Sequence, residues 1–172
     1  MQDPRDEATV ARLKSMAGRL VASAGLADTG PEEKPTWVVI NREGAKARQI
    51  LNHKELMAGL RESFPGGSHE RRKAEGGGED GGVERSIRAF RSCWGVIAPH
   101  GAGLSNLVFL AKSNASVVEI IGEDQTGKVY EALAGQFGHR HMYVTAPHVT
   151  WQRSHMLVDV PAMLKAIAHI FE

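Results

Sequence analysis

This 172-residue chain predicts an α/β fold, a doubly wound, mostly parallel sheet of Rossmann-like type. Three observations carry that prediction. Apolar runs of strand length alternate along the chain with stretches of helical periodicity. The unbroken unit Trp94 to Ile121 reads strand, glycine turn, short helix and second strand. Its strand segments are apolar apart from one carboxylate, Glu119, as strands covered on both faces are.

Composition bounds the function. A formal net charge of +1 with 42% hydrophobic and 24% charged residues describes one ordinary globular domain with a single core, and nothing in that balance calls for nucleic acid. One cysteine, Cys93, excludes an internal disulfide and reads as a small buried apolar residue. The start MQDPRDEATV is charged and has no apolar core, so no signal peptide is expected. No membrane segment is expected either, because no run of apolar residues reaches spanning length.

Taken in order, Glu7 to Leu26 has Val10, Leu13, Ala17, Leu20, Val21 and Ala24 at the spacing of one helical face, with Gly25 as terminator. Asp28 to Pro35 is a turn-rich linker. Thr36 to Ile40 is β-branched and aromatic, a buried strand that delivers Asn41 and Arg42 at its carboxyl end. Asn52 is placed to cap a helix His53 to Leu60, with Glu55 in the capping-box position. Residues 64–82, dense in glycine and in both charge signs, predict a disordered insert, because they cannot bury enough surface to offset chain entropy. A helix Val83 to Ser92 follows, with Val83, Ile87 and Phe90 inward.

Beyond Ile121, Lys128 to Phe137 predicts a helix with Val129, Ala132, Leu133 and Phe137 inward, and His141 to Val144 a short strand. Pro161 to Phe171 predicts a final helix with Pro in its first turn. Glu123 and Asp124 read as turn and cap residues rather than metal ligands. His139, His141, His148 and His155 match no metal-ligand spacing, so no metal site is expected.

In the central unit, Val96 to Ala98 is a strand ending at Pro99. Gly101 and Gly103 then supply a turn that lets backbone approach a ligand, and a short helix runs from Leu104 to Ala111 with Ser105 and Asn106 near its start. Free N–H groups at that start, at the positive end of the helix dipole, suit an anion such as a diphosphate. Glu119, the one carboxylate of the strand Val117 to Ile121, belongs near the carboxyl edge, where open α/β sheets bind ligands. His100 is placed either to donate to a phosphate or sugar oxygen or to hold the turn.

Two functional readings account for that unit. Gly101 to Asn106 fits the dinucleotide fingerprint G-x-G-x-x-G except that Asn106 replaces the third glycine, with Glu119 near the position of the ribose-binding acid. That reading makes the chain a dinucleotide-binding oxidoreductase module. The other reading is carried by His100-Gly101-Ala102-Gly103-Leu104-Ser105-Asn106, then Phe109-Leu110 and Val117-Val118-Glu119-Ile120. This resembles the signature HGAGLxN…FL…xxVEI of the glycosyltransferase 61 family. Arg42, Arg48, Asn52, Glu55 and Leu56 also resemble, in order, that family's arginine and N-x-x-E-L segments, and Val158-Asp159-Val160 resembles its closing strand and helix.

The resemblance implies a two-domain GT-B architecture of which this chain is the carboxyl-terminal, donor-binding half. It implies inverting transfer of a sugar such as N-acetylglucosamine or xylose from a nucleotide donor, a UDP-sugar, to a glycan or glycoprotein acceptor. It further implies a site in the Golgi or endoplasmic reticulum lumen, no essential metal or other cofactor, and an amino-terminal acceptor domain as the missing partner. Carried over by position, the donor-binding residues are Arg42, Arg48, Asn52, His100, Gly101, Ala102, Gly103, Leu104, Ser105, Asn106 and Glu119. A third reading, an inactive truncated relative, stays open beside these.

Overall fold

The computed structural model describes residues 4–31, 33–42, 47–65, 69–73, 82–123, 128–148 and 155–169. Among them run α1 (Pro4–Ser23), β1 (Trp37–Asn41), α2 (His53–Ser63), β2 (His69–Lys73) and α3 (Gly82–Ser92). There follow β3 (Gly95–Pro99), a 3-10 helix (Ala102–Phe109), β4 (Ser116–Gly122), α4 (Val129–Gln136), β5 (Arg140–Ala146) and α5 (Val160–Ala168). The strands form one parallel sheet in the order β2-β1-β3-β4-β5. The α/β, Rossmann-like expectation is met.

Each strand of the centre is buried on both faces, so two cores form. On one side Val38, Ile40, Val96, Ala98 and Val117 meet α1, α3, α4 and the 3-10 helix through Ala17, Val21, Ile87, Phe90, Ala134, Leu104 and Leu107. On the other, Trp37, Val39, Ile97, Val118 and Ile120 meet α2 and α5 through Leu56, Met57, Leu60, Val160, Met163 and Ile167. Burying one such side chain is worth about 1.5–3 kcal/mol, which outweighs the few tenths that separate helix propensities and holds short helices such as α5 in place.

The strand order places a topological switch at the centre. From β1 the chain moves to β2 on one side, then returns past β1 to β3 and continues to β4 and β5. The two connections leave β1 and β3 in opposite directions, which opens a crevice at the carboxyl ends of those strands.

Several local expectations are corrected. Within the supposed disordered insert, His69–Lys73 pairs in parallel with Trp37–Asn41 as an edge strand. A ladder is made by main-chain groups, and an edge strand tolerates charge, so the lack of apolar residues did not exclude it. Phe64 caps α2 and Gly82 opens α3, while 66–68 and 74–81 lie outside the described residues. Leu20 and Val83 are exposed and Val129 more so; α1 and α3 still turn Ala17, Val21, Ile87 and Phe90 to the core as read, whereas the inward face of α4 is shifted. In α4 the residues meeting the core are Tyr130, Leu133 and Ala134. No strand forms at 158–160. Asp159 instead caps α5, its carboxylate accepting from Ala162 N–H at 3.0 Å, with Pro161 in the first turn as expected. Gly25 ends α1 in the left-handed conformation, φ 67°, as predicted.

Burial also makes the fold sensitive to acid. His139 is buried, and neither ring nitrogen has a hydrogen-bond partner among the described residues. Burial first, and the Lys14 ammonium second, hold its pKa below the ordinary 6.5; burial and then Lys54 do the same for His53. A base whose folded pKa is depressed contributes stability that is complete above its unfolded value and is lost as pH falls through the folded one. Urea denaturation should therefore show stability falling as pH drops below the ordinary imidazole value of about 6.5, with a shallower fall in His139→Gln. An identical pH dependence in the two proteins would refute the role given to His139.

Candidate functional site

The turn after β3 is shaped by its glycines and leucines. Gly101 has φ 152° and ψ −178°, a region of backbone space essentially closed to residues with a Cβ. Its carbonyl accepts from Leu104 N–H at 2.9 Å, and the chain continues as a 3-10 helix where an α-helix was expected. Leu104, Leu107 and Leu110 explain the difference. They recur every third residue, all are buried in one core, and a helix of three residues per turn stacks them along one line. Asn106 donates from Nδ2 to the Gly103 carbonyl at 3.1 Å and tightens the turn. Because the helix begins at Ala102, its first N–H groups have no carbonyl one turn back to bond.

A second loop approaches from β1. Asn41, at the strand's end and buried, accepts from Ile50 N–H at 3.0 Å and donates to the Ile50 carbonyl at 3.4 Å, which closes the loop carrying Arg42 and Arg48. Arg48 takes the left-handed conformation, φ 59°, rare for a residue other than glycine, and donates from Nη1 to the His100 carbonyl. Both guanidinium groups come over Gly101. A Cβ there would stand 3.3 Å from Arg48 Nη1 and 3.7 Å from Arg42 Nη1. Burial, then the Arg42 charge, lower the Arg48 pKa from its ordinary value, while Tyr130 opposes the shift.

Ile40, Arg42, Arg48, Pro99, Gly101, Ala102 and Gly103 line a pocket of about 110 Å³. It lies at the carboxyl ends of β1 and β3, the switch point of the sheet. Among the described residues no carboxylate pairs with either arginine. A like-charged pair and the glycine turn therefore line one small volume beside the start of the 3-10 helix.

The decisive comparison concerns those same residues. The model of the family Glycosyltransferase 61 matches residues 3–118, more than half of the chain. The chain belongs to the glycosyltransferase 61 family. Among curated proteins none matches it. The matched span includes both arginines and the whole signature from His100 to Asn106, and it ends one residue before Glu119. In this glycosyltransferase 61 chain no described helix is long and apolar enough to cross a membrane.

The donor-binding residues expected from the resemblance divide into groups. Arg42, Arg48, Gly101, Ala102 and Gly103 meet at the pocket. Leu104 is wholly buried in the core, Ser105 is exposed, and Asn106 bonds the turn itself. Asn52 is not among the pocket-lining residues and makes no capping bond to α2. Its side chain instead clamps Val158, accepting from the N–H at 3.0 Å and donating to the carbonyl at 2.8 Å, and also donates to Glu55. Asn52→Ala should thus lower stability by about 1–3 kcal/mol in urea denaturation and leave nucleotide affinity in place, since it strands a main-chain N–H and carbonyl. Loss of affinity at full stability would return Asn52 to the ligand.

Glu119 has no exposure and is not among the pocket-lining residues. His100 Nδ1 bonds one of its oxygens, and His141 Nε2 bonds the other at 2.8 Å. Sequence reasoning missed this pairing, as it missed the Asn41 closure and Tyr130, whose ring meets the His100 ring edge-on at 5.4 Å between centroids. His141 and Tyr143 fall in register with Val117 and Glu119, so all project from the same face of the sheet. His139 and His155 stand apart from this group, and Asp124 lies outside the described residues.

Proposed function

We propose that the switch-point pocket binds the diphosphate of a nucleotide sugar, and that this chain, as a single domain, is the donor-binding half of a GT-B glycosyltransferase. The observation that carries the reading is the convergence of Arg42 and Arg48 over Gly101 without a carboxylate partner among the described residues. Two guanidinium groups held close repel each other until an anion enters, and a phosphate takes their planar forks in paired hydrogen bonds. The N–H groups that open the 3-10 helix supply further donors. A pocket of about 110 Å³ is smaller than the ~300–1,000 Å³ that holds a whole drug-sized ligand, which suits the phosphates, with nucleoside and sugar extending outside.

The reaction this supports is inverting transfer of a sugar, of N-acetylglucosamine or xylose type, from a UDP-sugar to a glycan or glycoprotein acceptor in the Golgi or endoplasmic reticulum lumen. An acceptor hydroxyl attacks the anomeric carbon from the face opposite the diphosphate. The leaving diphosphate gathers negative charge, and fixed cations stabilise it more as the bond breaks. Arg42 and Arg48 have that role. The base that takes the acceptor proton must lie on the far face, and an amino-terminal acceptor domain supplies it. The oxidoreductase reading loses support at Glu119, because both oxygens that would hold a ribose are bonded to histidines.

Calorimetric titration of the purified chain with UDP, UDP-N-acetylglucosamine, UDP-xylose and NAD tests the reading. UDP and at least one UDP-sugar should bind, and binding should persist in EDTA. Binding of NAD without UDP would overturn it in favour of a dinucleotide module, and silence toward all four would favour a relative that has lost its ligand.

A further inference from the structure

Building on the donor-site reading, we infer that Glu119 and His141 form a buried positioning pair that holds His100 in one tautomer, so that its Nε2 accepts a hydrogen bond from a hydroxyl of the donor's sugar.

Ionised, a carboxylate only accepts, and both Glu119 oxygens have an imidazole nitrogen as partner. With both imidazoles neutral, His100 carries its proton on Nδ1 and His141 on Nε2. A neutral imidazole has one N–H, so His100 Nε2 is left with a lone pair. In that neutral form the nitrogen is an acceptor.

The pair is held from every side. Glu119 extends from β4 with no exposure, and the His141 side chain on β5 is 4% exposed. The Tyr143 ring braces His141 edge-on at 4.6 Å, and Tyr143 in turn donates to Glu131 of α4 at 3.3 Å. Burial, with the nearby Glu119 and Glu131 carboxylates, pushes the Tyr143 pKa up to about 12, so it stays a neutral donor. Tyr130 of α4 fixes the His100 ring and lies close enough to Arg48 to act on its charge. The His100 side chain is 25% exposed, and it alone of the three reaches solvent to this extent. It does so one residue from Gly101, at the rim of the arginine pocket.

What meets His100 there follows from complementarity. A phosphate presents acceptors alone, and an Nε2 lone pair has no hydrogen to offer it. The arginines and turn amides already serve the phosphates. A sugar hydroxyl has the proton that Nε2 can take in a hydrogen bond, and in a nucleotide sugar those hydroxyls adjoin the diphosphate. His100 is therefore a specificity group for the sugar, and Glu119 and His141 act through it.

Three variants and two ligands test this. His141→Phe removes the second donor to Glu119, while His141→Gln keeps an N–H near the Nε2 position and should rescue it. Glu119→Gln offers one acceptor oxygen in place of two, so one of the two histidines must change tautomer. Long-range proton–nitrogen NMR should show His100 with its proton on Nδ1 in the wild type and in His141→Gln. It should show the His100 proton moved off Nδ1 in Glu119→Gln. In calorimetry, UDP affinity should stay within about twofold in all three variants, whereas the extra affinity for UDP-N-acetylglucosamine over UDP should fall about fivefold to tenfold in His141→Phe and Glu119→Gln, the scale of one hydrogen bond. Parallel losses for both ligands would overturn the inference, since a pair that merely stiffens the turn affects them equally. A wild-type His100 carrying its proton on Nε2 would overturn it too. Failure of the wild type to bind either ligand would instead overturn the donor-site reading and the sugar assignment with it, and the tautomer spectra would still decide the pairing.

Discussion

Arg48→Met should weaken UDP binding at least about tenfold while leaving the melting temperature unchanged or raised. The two halves of this expected result have one cause. Each hydrogen bond from a charged donor contributes about 1.5–3 kcal/mol, so removing a guanidinium that engages a diphosphate lowers affinity roughly tenfold to more than a hundredfold. In the empty pocket the same guanidinium is a burden. Burial and the Arg42 charge both act against its ionised form, and its backbone sits at φ 59°. Its bond to the His100 carbonyl offsets part of that cost. Arg48→Lys should fall between, since an ammonium keeps the charge and loses the planar fork. Calorimetry for affinity and thermal denaturation for stability check both halves. Wild-type affinity in Arg48→Met would remove Arg48 from the ligand site.

Gly101→Ala is expected to lower stability and affinity together. The backbone conformation at Gly101 costs a residue with a Cβ about 1–3 kcal/mol. The added carbon would also stand 3.3 Å from Arg48 Nη1. The guanidinium is the far end of a flexible side chain and can shift by a few tenths of an ångström, but that shift disturbs its alignment with the His100 carbonyl and with any bound phosphate. UDP affinity should drop at least about tenfold, the effect of one misaligned charged hydrogen bond. Gly103 differs: its added Cβ would meet Ile40 Cδ1 at 3.2 Å, a side-chain tip that can move. Gly103→Ala should therefore be mild, and the larger Gly103→Val should obstruct the pocket while the protein stays folded. Equal stability of Gly101→Ala and wild type in urea would contradict the assigned turn.

The fold was legible wherever information is local. Apolar strands β1, β3 and β4, the glycine turn, and helices α2 and α5 follow from composition and period, and so does the arrival of Arg42 at a strand's carboxyl end. The helix after Gly101 was legible in type as well, had the threefold recurrence of Leu104, Leu107 and Leu110 been weighed against the α period. Edge strand β2 was hidden because a main-chain ladder leaves no apolar pattern in HERRK. The polar contacts were hidden for another reason. Asn52 and Val158 are separated by 106 positions, and Glu119 meets His100 and His141 across three neighbouring strands. Sequence spacing along one chain carries no trace of register between strands, so Glu119 read as a ligand residue where the structure makes it the partner of two histidines.

The account rests on one claim, that the diphosphate of a nucleotide enters at the β1 and β3 switch point. Amide and guanidinium NMR spectra of the chain, recorded while UDP is added, test that most directly. The largest shifts should fall on the main-chain N–H groups of Gly101, Ala102 and Gly103 and on the side-chain Nε–H of Arg42 and Arg48, and uridine, which lacks phosphates, should leave them in place. Shifts of equal size with uridine, or shifts centred on α2 and α5 around His53 and Leu157 with the glycine turn unmoved, would contradict it.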